Sequence, residues 1–215
     1  MIHFLSDEIS FPPVTEANHD GLLAIGGDLQ QERLLLAYKQ GIFPWFNEDE
    51  LPMWWCPDPR FVLFPQELRV SKSMKQVLKK ELFQFRFNTS FRAVITACQQ
   101  QKRLGQDGTW ISDAIIEAYE KLYMAGIAVS AEAWQENKLV GGLYGIRLGK
   151  VFFGESMFSQ VANASKFAFI QLVERLKVEE VQLIDCQVYT EHLQSLGAKF
   201  ITREQFLKIL ERTIS

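Results

Sequence analysis

Cysteine, histidine and proline are scarce in this chain, with three, three and seven among 215 residues. Cys56, Cys98 and Cys186 lie far apart, with no CxxC pair and no histidine at metal-ligand spacing. That pattern excludes a disulfide framework and a zinc site, and it implies reduced thiols. Long hydrophobic runs are also missing at the start: acids interrupt "MIHFLSDEISFPP", so it reads neither as a signal peptide nor as a membrane span. The expected compartment is the cytoplasm, with no membrane partner. No internal repeat and no low-complexity segment is present. What remains, 47% hydrophobic and 23% charged, suits one large domain or a small one followed by a larger one.

The net charge of −3 conceals a strong asymmetry. From Met1 to Asp58, ten acids face Arg33 and Lys39, giving −8; from Glu67 to Arg103, nine Lys/Arg face Glu67 and Glu81, giving +7. Within the basic part, Lys72, Lys75 and Lys79 fall at i, i+3 and i+7 of "SKSMKQVLKKELF", while Met74, Val77, Leu78 and Leu82 form the opposite stripe. One face packs and the other is cationic. Such a face is ordinarily a solvated surface; the sharper alternative is contact with a phosphate backbone.

Pro and Gly punctuate the first sixty residues ("SFPPVTEA", "AIGGD", "GIFPWF", "WWCPDPRF"), allowing short helices and turns but no long element. Within them "QQERLLLAYKQG" predicts a short amphipathic helix ending at Gly41. A domain boundary is expected near Pro57 and Pro59, separating a small α/β domain (1–60) from a larger one (61–215). Helices are predicted over Ser71–Leu82, Ser90–Lys102 and Ser112–Met124, the last capped by Ser112 or Asp113. After Gly126 the sequence alternates apolar and small residues, with turn signals at "QENK" and "RLGK", predicting a three-stranded antiparallel meander. A helix in "NASKFAFIQLVERLK", a strand, the helix "TEHLQSLG", and a last strand and helix complete an α+β chain.

The strand Val181–Val188 carries Asp185 and Gln187, both costly in an apolar element. By alternation these two share a face with Val181 and Leu183, while Ile184 and Cys186 face the other way. A carboxylate there needs a partner or shifts its pKa. It could pair with an arginine or cap the next helix; it could also belong to a site. Cys186 reads as a small buried hydrophobe, and His192 as a base only if its surroundings allow.

The order meander, helix, strand, helix ending in "LGAKF", strand resembles the acetyltransferase superfamily, which implies a mixed, mainly antiparallel sheet flanked by helices. Where that superfamily has glycines for a pyrophosphate, this chain has "QVANAS", with Asn163 and Ser165 in the way. The fold is expected to be kept and the acetyl-CoA site lost.

More specifically, "GLLAIGGDL", "AYKQGIFPWF", "MWWCPDPRFVLFP", "GTWI", "LVGGLYG", "FFGESMFS", "NASK" and "LIDCQV…HLQSLGA" together resemble the bacterial leucyl/phenylalanyl-tRNA–protein transferases, in order, over nearly the whole chain. The resemblance implies transfer of Leu or Phe (Met less well) from aminoacyl-tRNA to the N-terminal Arg or Lys of acceptor proteins, marking them for degradation, with no cofactor and no metal. An aminoacyl ester is already activated, so an amine can attack it without a covalent enzyme intermediate. By resemblance, Asp185 and Gln187 match catalytic positions: Asp185 would orient the ammonium, and the Gln187 oxygen would accept a hydrogen bond from the attacking amine. Glu155 matches a third position, assigned to the aminoacyl group's own amine. The side-chain pocket would be lined by Leu143, Phe152, Leu172, Leu176 and Ile184; Leu143 stands where Met is familiar, and Leu172 and Leu176 where some members have Phe. Trp45 and Trp110 match positions that contact the tRNA's terminal adenosine. The cationic face then becomes an acceptor-stem contact through Lys72, Lys75, Lys79 and Lys80. A related transferase using acetyl-CoA conflicts with "QVANAS", and one building peptidoglycan bridges would need two copies of the fold. A non-catalytic adaptor for tRNA or N-degrons is the alternative of another class.

Overall fold

The computed structural model describes residues 2–101 and 109–214. The elements run β1 (His3–Leu5), β2 (Leu22–Gly26), α1 (Gln31–Lys39), β3 (Phe43–Pro44), β4 (Met53–Trp55), β5 (Arg60–Leu63), α2 (Lys72–Lys79), β6 (Gln84–Phe87), α3 (Phe91–Gln100), α4 (Asp113–Met124), β7 (Ala128–Gln135), β8 (Lys138–Leu148), β9 (Val151–Ser159), α5 (Ala164–Val178), β10 (Leu183–Gln187), α6 (Glu191–Ser195), β11 (Lys199–Ile201) and α7 (Arg203–Thr213). They build two sheets, one of four strands in the order β1-β2-β4-β3 and one of seven in the order β11-β5-β10-β9-β8-β7-β6. The chain is α+β.

The larger sheet is antiparallel except between β9 and β10. Its strands alternate between two cores. Val62, Tyr144, Phe153 and Leu183 face the core covered by α3, α4 and the small sheet; Phe61, Leu143, Phe152 and Ile184 face the core under α5. Apolar residues on both faces thus follow from helices on both faces. α5 can lie close because Gly141 on β8 has no side chain; a Cβ there would stand 2.6 Å from that of Ala164. α1 ends before Gly41, whose φ of +76° suits glycine, and a Cβ would press on Phe206 of α7.

The predicted meander is β7-β8-β9, and Ser71 and Ser112 cap α2 and α4 by accepting the amides of Met74 and Ile115. The predicted end of the second helix at Lys102, together with the charges of Lys102 and Arg103, lies outside the described residues. Three features exceed the sequence reading. The first sixty residues contain a sheet, because strands of two to five residues are too short to show a period. β5 and β6, placed in no strand by that reading, are the inner neighbour of β11 and an outer edge. Finally, the α2 helix stops at Lys79, where Glu81 turns the chain with φ +49°.

One buried carboxylate ties these layers. Glu132 on β7 accepts from the amides of Thr89 and Ser90 at the start of α3, from the hydroxyls of Thr89 and Ser130, and from Trp134 Nε1. Burial opposes its charge, but these donors hold its pKa below the ordinary value. Glu132→Ala strands those donors, so urea unfolding at pH 7 should show a loss of about 2–4 kcal/mol. Because the folded pKa is depressed, the wild type's advantage over this variant should shrink as pH falls below about 4.5.

Candidate active site

The parallel pair β9·β10 holds register only from Leu183↔Val151 to Asp185↔Phe153. Beyond it β9 continues along β8 to Ser159 while β10 ends at Gln187, leaving a wedge between the diverging strands. The wedge holds a cavity of about 380 Å³ lined by β9 residues Gly154 to Met157, β10 residues Ile184 to Gln187, Leu143 of β8, Ser165 and Phe169 of α5, and Val188, Thr190, His192 and Leu193 at α6.

Asp185 and Gln187 both line it, but not through simple alternation. A register shift separates them on the β5 side, and Gln187 has φ +62°. Asp185 is wholly buried and its carboxylate is gripped by Arg60 of β5: Nε to Oδ1 at 2.8 Å and Nη2 to Oδ2 at 2.6 Å. The guanidinium lies between the rings of Phe43 and Phe206, 4.7 Å from each centroid. Burial pulls the Arg60 pKa down; Asp185 more than offsets it, raising the pKa above its ordinary value. The arginine pairing that the sequence left open is therefore what forms. Both Asp185 oxygens accept from Arg60, and Oδ1 also accepts the backbone N–H of Gln187 at 2.9 Å, so three of the carboxylate's donors come from the protein itself.

Glu155 of β9 closes the network. Its Oε1 accepts from Gln187 Nε2 at 2.9 Å and from the Tyr38 hydroxyl at 2.8 Å, and its Oε2 accepts from the Tyr119 hydroxyl at 3.1 Å. The two tyrosine hydroxyls also touch each other. Desolvation lifts the Glu155 pKa to about 7 against the pull of these donors. Burial and the Glu155 charge hold both phenols far above their ordinary value, so they stay protonated and donate. With its Nε2 committed, Gln187 has its amide oxygen left for another donor.

The other expected residues divide. Leu143 and Ile184 line the cavity. Phe152, Leu172 and Leu176 are buried in the core beneath α5 and are not among the lining residues; Met157, Phe169 and Leu193 supply apolar wall instead. Their place behind the wall has a simple cause, since Phe152 precedes the point where the strands part and Leu172 and Leu176 lie further along α5. Trp45 is exposed and leans on Trp55, with ring centroids 5.7 Å apart, whereas Trp110 is buried in the other core; neither lines the cavity. Lys72, Lys75 and Lys79 on α2 and Lys80 at its C-terminal cap are exposed, and Met74 anchors the helix in the core under α5. Cys186 is buried, and burial pushes its thiol pKa far up, as expected of a packing residue. His192 Nε2 is shut off from solvent and lacks a partner among the described residues, and burial with nearby Lys166 lowers its pKa, so it offers no ready base.

Arg60, Tyr38 and Tyr119 were not singled out from sequence. Their signals are faint: an arginine heading the apolar run "RFVLFP", and a tyrosine four residues after Leu34, on the helix face that packs. Among the described residues no group of His, Cys, Asp and Glu could hold a metal ion, and no helix is long and apolar enough to cross a membrane.

A family model described as "Leucyl/phenylalanyl-tRNA protein transferase" matches residues 62–211, and one for the N-terminal domain of the same family matches residues 27–58. The chain is similar to the leucyl/phenylalanyl-tRNA–protein transferase of Flavobacterium johnsoniae, 59% identical over 98% of this chain and 99% of that protein. It is similar to that of Flavobacterium psychrophilum, 56% identical over 98% of this chain and the whole of that protein. A solved L-PGS structure from Bacillus licheniformis overlaps 88% of this chain and 58% of its own at 12% identity, with a TM-score of 0.43, too low to establish a common fold.

Asp185→Asn leaves the Arg60 charge buried without a counter-charge, and chemical denaturation should show a loss of about 3 kcal/mol or more; Arg60→Met combined with Asp185→Leu should recover much of it. Glu155 acts oppositely to Glu132. With a folded pKa raised from 4.5 to about 7, its contribution is fully present below pH 4.5 and is lost as pH rises through 7. The stability of the wild type relative to Glu155→Gln should therefore fall between pH 5 and pH 8.

Proposed function

The chain belongs to the leucyl/phenylalanyl-tRNA–protein transferase family and is an aminoacyltransferase of that kind, and we propose that it moves Leu or Phe, and Met less well, onto the N-terminal Arg or Lys of acceptor proteins, creating an N-degron. The observation that carries the mechanism is the Gln187 side chain, held by Glu155 so that its oxygen is left for an incoming amine. The α-amino group has a pKa of about 7.7–8.0, so a useful fraction is neutral near pH 7 and no strong base is needed. The amine attacks the ester carbonyl as its N–H donates to Gln187 Oε1. The C–N bond forms, the bond to the tRNA 3′ oxygen breaks, and that oxygen gains a proton. The proton lost by the amine passes by Gln187 or water to Glu155, whose pKa near 7 lets it take and return one.

Asp185 is then a positioning residue, fixing the Gln187 backbone while Arg60 fixes Asp185. Glu155 has a second task open, because Oε2 has a single protein donor and can receive the aminoacyl amine. The donor side chain enters the apolar part of the cavity against Leu143, Met157, Phe169, Ile184 and Leu193, with Phe152, Leu172 and Leu176 supporting from behind. A cavity of this kind separates donors by about 1–3 kcal/mol per methylene, so rejection of Ile and Val rests on a clash at Cβ. Trp45 offers a ring face to the terminal adenosine, and Trp110 supports from within the core. Lys72, Lys75, Lys79 and Lys80 take acceptor-stem phosphates. We assign the seven-stranded unit to the acetyltransferase-like folds, with a domain boundary near residue 60, and place the enzyme in the cytoplasm with its charged tRNA.

The test mixes the protein with charged Leu-, Phe-, Met- and Ile-tRNA and peptides beginning with Arg, Lys or Ala, and follows transfer by mass spectrometry. Transfer of Leu and Phe to Arg and Lys peptides is expected; transfer to Ala alone, or binding without transfer as an adaptor would give, refutes the reading. Gln187→Ala should lower kcat roughly 10²-fold with the KM for charged tRNA unchanged. kcat should rise with pH in two overlapping steps in the wild type, one near 7 as Glu155 loses its proton and one from the acceptor amine at about 7.7–8.0, and Glu155→Gln should keep only the second. Replacing Lys72, Lys75 and Lys79 by Ala should raise the KM for charged tRNA and flatten its salt dependence.

A further inference from the structure

Val188 lines the cavity and is also 47% exposed, so it forms part of the rim. The next residue, Tyr189, turns its ring away from the cavity across the neighbouring strands. It stacks on Phe200 of β11 with an interplanar angle of 18°, and both rings rest on buried Phe61 of β5 at 5.4 and 4.8 Å. Its hydroxyl is tied to Gln194 Oε1 at 2.9 Å. Tyr189 and Phe200 remain 44% and 51% exposed. A fixed pair of half-exposed aromatics at the mouth of a site is the kind of surface that anchors a partner at small entropic cost. Beside it lies β11, the end strand of the seven-stranded sheet, whose outer edge has no strand partner among the described residues.

Two polymers must leave the cavity in the proposed reaction, the tRNA and the acceptor polypeptide. Charge decides which of them crosses this rim. Lys199 is held by Glu67 at 2.7 Å, Glu191 is exposed in the first turn of α6, and Arg69 lies behind Gly197, so the charges nearly cancel. A phosphate backbone needs an excess of cations, and a cluster of four exposed lysines, Lys72, Lys75, Lys79 and Lys80, lies elsewhere, on α2 and at its C-terminal cap. We propose that the Val188–Tyr189–Phe200 surface and the β11 edge receive the acceptor polypeptide just downstream of its N-terminal residue. This rests on the reading of the acceptor as a peptide N-terminus.

The reach fits. β10 and β11 are two strand spacings apart, about 10 Å, which an extended chain covers in about three residues. Residue 1 of the acceptor therefore occupies the cavity and residues 2 to 4 cross the aromatic pair. An apolar platform with a free strand edge reads main chain and bulk rather than identity, so it accepts many downstream sequences.

The test measures KM for a series of Arg-initiated acceptors, from a dipeptide to a hexapeptide and a folded protein with an extended N-terminus. In the wild type KM should fall as the acceptor lengthens from two to five residues. Phe200→Ser should raise KM for the hexapeptide and the protein at least about fivefold while the dipeptide KM stays put; Phe200→Tyr should restore the wild-type values. The unchanged dipeptide kcat reports that the variant is folded. No length dependence, an equal effect of Phe200→Ser on all acceptors, a raised KM for charged tRNA, or a wild-type dimer that Phe200→Ser dissociates would each overturn the proposal. If the wild type modifies no acceptor at all, the functional reading itself fails, which is a different result.

Discussion

The fully buried pair between Arg60 and Asp185 is the constraint on which the rest of this molecule depends. An isolated carboxylate on a dry strand costs so much that it would be neutral, and an isolated guanidinium costs as much or more. Brought together in two short bonds, each supplies the partner that the other's burial requires. Phe43 and Phe206 then enclose the cation from the small sheet and from the last helix. One ion pair therefore joins β5, β10, β3 and α7. The backbone of Gln187, donating to the same carboxylate, inherits that rigidity. The stability cost of burying charge falls beside the cavity, where it fixes the backbone that carries the Gln187 amide.

Much of this was legible in the residues, and the failures have physical causes. The meander, α4, α5 and the strand carrying Asp185 are long or patterned enough for periodicity to speak, and the polar residues inside an apolar strand lie where the cavity opens. The partner of Asp185 was hidden because it lies 125 positions away and its guanidinium is recognised only by geometry. Tyr38 and Tyr119 were hidden because a buried tyrosine hydroxyl looks like ordinary packing until its acceptor is known. Phe152, Leu172 and Leu176 were placed in the pocket by family correspondence. Whether a residue faces a cavity depends on where two strands part, which no local pattern records.

The wedge between β9 and β10 also explains how a tight sheet makes room for a reaction. A continuous parallel ladder would have used the main-chain groups on both strands and closed the gap. Ending β10 at Gln187, in a conformation with positive φ, takes that residue out of the parallel ladder and lets its side chain reach Glu155 across the opening. Apolar residues from α5 and α6 then form the opposite wall, and in the proposed reaction activated ester and amine meet beside it, where little water competes.

Distances along the chain give this arrangement a temporal meaning. Tyr38 meets Glu155 across 117 positions and Arg60 meets Asp185 across 125, so the centre draws on both ends of the polypeptide. A ribosome releasing the first half of the protein has made no centre at all. On the proposed chemistry, charged tRNA, the same currency that elongation consumes, is safe from nascent chains of this enzyme until the residues through Gln187 have been made.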